Sequence, residues 1–89
     1  METAEARVKR LKMRSMRRGI REMDLILSDF AGRELDGMEE AGLALYDALL
    51  SENDHDLYAW ITGQAAPPPQ FAALIGRLRD GAAGVVRAG

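Results

Sequence analysis

Apolar residues recur along most of this chain at the spacing of an amphipathic helix, and no stretch alternates apolar with polar residues over the length of a strand. Leu, Met and Ala are frequent and β-branched residues are few, which favours helix over strand. The pattern therefore predicts an all-α protein that folds as a compact five-helix domain. We expect the helices at residues 4–17, 20–35, 38–51, 55–62 and 69–80.

The same spacing predicts which side of each helix faces the core. In the first helix the apolar stripe is narrow and runs through Val8, Leu11 and Ser15, so this helix is expected to lie on the rest of the domain. In the third helix, Leu45, Ala48 and Leu49 form the expected inner stripe, with Met38 and Tyr46 near its edges. The inner positions of the second, fourth and fifth helices are predicted to be Ile20, Met23, Ile26, Leu27, Phe30, Leu57, Trp60, Ile61, Phe71, Leu74, Ile75 and Leu78.

Helix ends are indicated by capping residues and glycines. Gly19 is expected either to close the first helix as a left-handed cap or to open the second as its N-cap. Asn53 or Asp54 suits the N-cap of the fourth helix, and Gly63 suits its C-terminal end.

The last helix follows a linker, residues 63–69, which contains three consecutive prolines. Pro69 can serve as the first helical residue, because its missing N–H is not needed there. Gly81 and Gly84 are expected to end this helix, and the tail, residues 81–89, is expected to be disordered.

The chain has 89 residues, which predicts a single domain with a small core, so function is expected on the surface. It has no Cys and one His, which leaves neither a thiolate nor a pair of imidazoles for a metal site or a hydrolase. The sequence therefore predicts no metal and no catalytic residues. Without a membrane-length apolar run or a signal-peptide pattern, we expect a cytoplasmic protein.

Charge is distributed unevenly along the chain. Residues 1–21 carry a net charge of +6, residues 22–56 a net charge of −10, and residues 57–89 a net charge of +2. This asymmetry favours either steering toward a charged surface or pairing between the two halves of the chain. One alternative function is a small helical nucleic-acid-binding regulator that uses the basic first helix, although the pI near 5.3 counts against it. An antitoxin-like helical partner is a further alternative.

A short motif lies where the second helix is predicted to begin. Arg18, Gly19 and Glu22 form an R-G-x-x-E pattern, and residues 56–61 read Asp-Leu-Tyr-Ala-Trp-Ile. Together, at this spacing and in a helical chain of this length, the two motifs resemble the SdhE family of succinate dehydrogenase assembly factors. The likeness covers about residues 7–80.

The resemblance implies a non-enzymatic five-helix protein that docks on the flavoprotein subunit of succinate dehydrogenase and promotes covalent attachment of FAD. Fumarate reductase is implied as a second client, and the FAD belongs to the client, so no tightly bound cofactor is expected. We expect a monomer, with neither nucleic acid nor membrane insertion involved. The partner-binding residues implied by the motif and its flanks are Arg18, Gly19, Glu22, Arg17, Arg21, Asp24 and Arg14.

Local explanations compete with this one. Gly19 as N-cap and Glu22 three residues later would form a simple helix start, and Arg18 and Glu22 could pair on one helix face. The functional interpretation requires Arg18 and Glu22 to point outward. Trp60 is expected in the core and Tyr58 on the solvent side.

Overall fold

The computed structural model describes residues 2–88, and the side chains of residues 2–82. Five α-helices follow one another: Ala4–Arg14 (α1), Arg21–Glu34 (α2), Glu40–Leu50 (α3), Asp54–Thr62 (α4) and Ala72–Ala88 (α5). Three-residue 3-10 turns, Leu35–Gly37 and Pro69–Phe71, follow α2 and precede α5, and residues 2–88 contain no strand. The radius of gyration is 12.3 Å, close to the value of about 12 Å expected for a compact chain of this length. The prediction of a compact all-α five-helix domain is confirmed.

The core is organised around α2, which packs against α1, α4 and most extensively α5. Two aromatic pairs join separate elements: Phe30 on α2 stacks on Tyr46 on α3 at 5.5 Å, and Trp60 on α4 stacks on Phe71 in the 3-10 turn before α5 at 6.1 Å between ring centroids. Burying side chains of this size supplies the main driving force for folding, at about 1.5–3 kcal/mol each. The buried apolar residues are Leu11, Met23, Ile26, Leu27, Phe30, Ala31, Leu35, Leu43, Tyr46, Leu49, Leu50, Leu57, Trp60, Ile61, Phe71, Leu74, Ile75, Leu78 and Ala82.

Most inward positions are as the helical spacing predicts, including Trp60 in the core. Val8 and Ile20 are only half-buried, although they pack against the core. The third helix differs most: Ala48 is exposed, Leu45 is only half-buried, and Tyr46 is fully buried rather than at the edge. The reason lies in Tyr46, whose ring stacks on Phe30 while its hydroxyl contacts a buried serine, so the helix turns that side inward. Tyr58 is half-buried and packs against the core instead of facing solvent freely.

Three helix ends differ from the prediction by three residues or more, and one of them is the start of the fifth helix, which begins at Ala72 because Pro69–Phe71 form a 3-10 turn. The first helix ends at Arg14 rather than residue 17, because the chain tightens into a 3-10 turn, in which the Met16 N–H bonds the Met13 carbonyl. Arg17 then takes a left-handed conformation, with φ at 56°, which no helix can continue. Arg17, and not Gly19, therefore occupies the left-handed position after α1.

The fifth helix does not end at Gly81 or Gly84 but runs to Ala88. A glycine weakens a helix by about 1 kcal/mol relative to alanine, which does not by itself terminate one. A Cβ atom at Gly81 would overlap the end of the Arg33 side chain on α2, a flexible group that can move aside. The predicted disorder of the tail stays a prediction, because Gly89 and the side chains beyond Ala82 lie outside the described residues.

The fourth helix begins and ends as predicted. Asn53 is its N-cap, with the side-chain oxygen accepting the His55 N–H at 2.8 Å. Gly63 closes it at φ 83°, a conformation that glycine adopts without strain. This fixed start matters for the site below, because Asp54 is the first residue of α4.

Candidate partner-binding site

Residues 15–20 form a loop between α1 and α2, which we call the motif loop. Hydrogen bonds to the protein core fix its inner side. Ser15 is fully buried; its hydroxyl donates to the Leu11 carbonyl at 2.8 Å and lies 2.6 Å from the Tyr46 hydroxyl. The Ser28 hydroxyl on α2 donates to the Ser15 carbonyl at 3.3 Å. The loop therefore begins at a fixed point in the core.

Arg18 points into the protein and joins three helix ends. Its Nη1 donates to the Arg14 carbonyl at the end of α1, and its Nη2 donates to the Leu50 carbonyl at the end of α3, both at 3.1 Å. Its Nε donates to Asp54 Oδ1, at the start of α4, at 2.8 Å. A cation at two helix C-termini and an anion at a helix N-terminus both complement the helix dipoles, and the guanidinium satisfies carbonyls that have no partner within their helices.

The expectation that Arg18 points outward is therefore wrong, and so is the alternative that it pairs with Glu22. Its side chain is 13% exposed and that of Asp54 is 18% exposed. The five-donor fork of arginine suits this role, because one planar group reaches three acceptors at once.

Gly19 follows directly and lies on the surface. Its N–H donates to Asp54 Oδ2 at 2.7 Å, so one carboxylate holds both Arg18 and the Gly19 backbone. A Cβ atom at Gly19 would meet only this carboxylate oxygen, at 3.2 Å, within the described part of the chain. Gly19 is neither the cap of α1 nor the N-cap of α2, since the latter is Ile20. Its outward side is open to another molecule.

Three charged residues around Gly19 face solvent. Arg17, Arg21 and Glu22 are exposed, and within residues 2–82 their side chains form no ion pair with this chain. Glu22 is the second residue of α2, where the helix dipole favours a negative charge. These three side chains and the Gly19 backbone form the polar part of the candidate site.

The other two predicted site residues have internal partners. Asp24 Oδ1 accepts the Arg17 N–H at 3.0 Å and lies 3.3 Å from the Ser28 hydroxyl, which ties the motif loop to α2. Arg14 pairs with Asp47 and donates to the Ser51 hydroxyl at 3.2 Å. Whether any of the seven predicted residues contacts a partner stays a prediction.

Sequence reasoning missed three exposed apolar residues that are close in sequence to the motif loop. Met13, Met16 and Leu25 are exposed by 67%, 51% and 46%, and they are the large apolar side chains that the described residues leave most open. Met13 is in the last turn of α1, Met16 lies in the motif loop, and Leu25 lies one helical turn beyond Arg21 and Glu22 on α2. The available signal was that none of the three belongs to the inner stripe of its helix.

The cations of α1 are largely matched by carboxylates of this chain. Arg10 bonds both Glu2 and Asp47, and Lys12 pairs with Asp36 at 3.0 Å. The hydrogen bond from Arg10, with the nearby charges of Arg10 and Arg14, lowers the pKa of Asp47 below its usual value against the opposing effect of burial. Pairing between the two halves of the chain, one of the two possibilities raised by the charge asymmetry, therefore occurs.

The described residues contain neither a metal-site cluster nor a membrane-spanning helix. Within residues 2–82 no three carboxylate or imidazole groups come together as a metal site would require. In the described part of the chain, no helix is both long enough and apolar enough to cross a lipid bilayer.

The fold and this surface define a small all-α protein with a rigidly held loop whose outward side is available to another polypeptide. A profile of the family described as "Flavinator of succinate dehydrogenase" matches residues 9–82, which is most of the chain. The chain belongs to that family, and the resemblance seen in its two motifs is confirmed.

Relatives of known name agree with this membership. The chain is 38% identical over 64 residues to the FAD assembly factor SdhE of Legionella pneumophila (strain Lens), covering 72% of this chain and 81% of the relative. It is 48% identical over 61 residues to the mitochondrial succinate dehydrogenase assembly factor 2 of Meyerozyma guilliermondii, covering 68% of this chain and 45% of the relative. It is 41% identical over 70 residues to the Schizosaccharomyces pombe protein of that name, covering 79% and 50%. The chain thus spans most of the bacterial relative and about half of these mitochondrial ones.

Proposed function

We propose that this protein is an assembly factor that binds the flavoprotein subunit of succinate dehydrogenase and promotes covalent attachment of FAD to that subunit. Family membership and the names of the relatives support the client and the process. The observation that carries the proposal to particular residues is the motif loop, which presents a side-chain-free position, Gly19, at the surface while its backbone is fixed from within.

The docking surface that we propose consists of Gly19, the exposed charged residues Arg17, Arg21 and Glu22, and the apolar Met13, Met16 and Leu25. A position without a Cβ atom allows a partner backbone to approach closely. A surface that combines large apolar side chains with charged ones matches the usual composition of a protein interface, and flexible methionines adapt to the shape of the partner.

The protein supplies no catalytic group in this proposal. It binds the client conformation in which the flavin bond forms more tightly than other conformations, and so raises the population of that conformation. The FAD stays with the client, so the purified protein should show no flavin absorbance, and the covalent flavin should be found on the client subunit.

We further propose that the free protein is a cytoplasmic monomer and that the flavoprotein subunit of fumarate reductase is a second client. The bacterial relative supports the compartment. Fractionation of native cells tests the location, and sedimentation tests the monomer. Binding measured against each purified flavoprotein subunit tests the client range.

The central experiment combines deletion and substitution. In cells that lack the protein, covalent flavin on the succinate dehydrogenase subunit, measured by in-gel fluorescence, should fall, and expression of the wild-type chain should restore it. Gly19→Arg should neither restore the fluorescence nor capture the subunit, because its long side chain occupies the surface where the client docks and its Cβ atom also crowds Asp54 Oδ2, which would lie 3.2 Å away.

Gly37→Arg is the matched control. Gly37 is exposed at the opposite end of α2, about 20 Å away along the 14-residue helix, and a Cβ atom there would meet nothing within 4 Å. It should bind the client normally. Normal capture of the subunit by Gly19→Arg, or unchanged flavin in the deletion strain, contradicts the proposal.

A further inference from the structure

The carboxylate of Asp54 bonds the motif loop, although Asp54 is distant from that loop in sequence. Asp54 lies 36 residues beyond Arg18, yet its two oxygens accept from Arg18 Nε at 2.8 Å and from the Gly19 N–H at 2.7 Å. Both ends of this arrangement are anchored, because Arg18 is bonded to the ends of α1 and α3 and Asp54 begins α4. We infer that Asp54 and Arg18 are positioning residues for client binding, and that they act only through the backbone of Gly19. The inference rests on the proposed function for its client.

The geometry leaves Arg18 little to offer a client. Each of its three guanidinium nitrogens already donates to an acceptor of this chain, at 2.8–3.1 Å, and the side chain is 13% exposed. Two of the five N–H groups are not used in these bonds, but they belong to a side chain that is almost covered. A client could take over one of the three used donors only by breaking a partly buried bond, which leaves its acceptor unsatisfied. The charged groups that reach the client are then the exposed ones, Arg17, Arg21 and Glu22.

Asp54 also fixes the direction in which Gly19 faces. Its Oδ2 lies on the side where a Cβ atom of Gly19 would come within 3.2 Å, and it bonds the N–H of the same residue. The loop backbone is thereby held before the client arrives, and a preorganised loop avoids the ordering entropy that a mobile one loses on binding. Without the carboxylate, residue 19 would still lack a side chain, but its backbone would no longer be held in a fixed position.

The first test measures the loop in the free protein. Asp54→Asn should accelerate hydrogen exchange of the Gly19 amide by tenfold or more, while core amides of α2 exchange as in the wild type. Asp56→Asn is the matched control, because Asp56 is an exposed carboxylate on the same first turn of α4. Equal Gly19 exchange in the two variants overturns the inference whatever happens with the client.

The second test is a double-mutant cycle on the dissociation constant for the purified flavoprotein subunit. Asp54→Asn and Arg18→Ala should each weaken binding by about tenfold, and the double variant should be within about twofold of the weaker single variant, because both remove the same positioning. If Asp54 and Arg18 stabilised the fold without positioning the motif loop, neither substitution would weaken binding of the client. Additive losses would mean that Arg18 contacts the client directly, which overturns the inference.

The outcomes separate this inference from the proposed function. Far-UV circular dichroism and thermal melting identify any variant that fails to fold, and Arg18→Lys then replaces Arg18→Ala in the cycle, since it keeps the charge but cannot reach three acceptors. If Asp54→Asn accelerates exchange of the Gly19 amide but the wild-type protein does not bind the subunit, the proposed function fails, while the positioning of Gly19 by Asp54 is still supported. If the wild type binds and Asp54→Asn binds equally well, the inference fails while the function stands.

Discussion

The backbone N–H of Arg17 donates to Asp24 Oδ1 at 3.0 Å, across the turn by which the chain passes from α1 into α2. The same carboxylate oxygen lies 3.3 Å from the Ser28 hydroxyl on α2, which shares its one proton between this oxygen and the Ser15 carbonyl. This bond helps to hold Arg17 in the left-handed region, at φ 56°, where a residue with a Cβ atom is strained. Asp24 therefore has a local structural role, which the sequence motif does not disclose.

The strain at Arg17 predicts an unusual pair of substitutions. Arg17→Gly and Arg17→Ala remove the same charge, but only glycine adopts a positive φ without strain, which favours the glycine variant by about 1–2 kcal/mol. Glycine also loses more chain entropy on folding than alanine, which disfavours it by about 0.5–1 kcal/mol. The glycine variant should therefore be more stable than the alanine variant by roughly 0.5–1 kcal/mol in urea unfolding. If Arg17 contacts the client as proposed, both variants should lose the same affinity. A less stable glycine variant would show that the left-handed conformation carries no strain.

Tyr46 predicts a loss of stability at alkaline pH. Burial raises the pKa of Tyr46 to about 12, although its contact with Ser15 and the charge of Arg18 lower it. Because this pKa lies above the unfolded value of 10.0, the contribution to stability is fully present below pH 10 and is lost as the pH rises toward 12. By pH 11 the loss should be on the order of 1 kcal/mol.

Tyr46→Phe isolates this effect from the titration of lysines. The variant should be about 1 kcal/mol less stable than the wild type at pH 8, because it lacks a buried hydroxyl contact. The difference should shrink or reverse by pH 11, as measured by urea unfolding of both proteins at each pH. Parallel curves from pH 8 to pH 11 would mean that Tyr46 titrates normally.

Two glycines should respond oppositely to alanine. Gly76 lies inside α5 and a Cβ atom there would meet nothing within 4 Å, whereas Gly63 closes α4 at φ 83°. Gly76→Ala should raise the free energy of unfolding by about 0.5–1 kcal/mol, and Gly63→Ala should lower it by about 1 kcal/mol. Thermal melting of both variants checks the signs, and two changes of the same sign would contradict this account.

Helical periodicity was sufficient to place the core because it depends only on residues three and four apart. Leu57, Trp60 and Ile61, for example, are buried as their spacing predicts. The same reasoning failed at Tyr46, because the stacking on Phe30 and the contact with Ser15 come from elements 16 and 31 positions away. Local spacing carries no information about such partners.

The candidate site shows the same division. The R-G-x-x-E pattern correctly indicated an exposed Gly19 and Glu22. It could not show that Arg18 turns inward, because that depends on Asp54 and on the carbonyls at the ends of α1 and α3. The opposite charges of the two halves indicated that pairs could form between them, but only the packing of the helices determines which residues meet.

The exposed apolar residues give a prediction that separates binding from stability. Leu25 is 46% exposed on α2 next to Glu22, so Leu25→Glu should change the free energy of unfolding by less than about 0.5 kcal/mol. On docking, the same position would be covered by the client, and an unpaired carboxylate there would have to lose its water. Affinity for the purified flavoprotein subunit should therefore fall by tenfold or more.

Ala73→Glu is the control for this change. Ala73 is an exposed residue in the first turn of α5, outside the proposed docking surface, and it receives the same charge. Calorimetric titration of both variants against the subunit should show a loss only for Leu25→Glu, with both melting temperatures close to that of the wild type. Equal affinities would place the client on another face of the protein, and the apolar part of the docking surface would have to be abandoned even if Gly19→Arg still prevents binding.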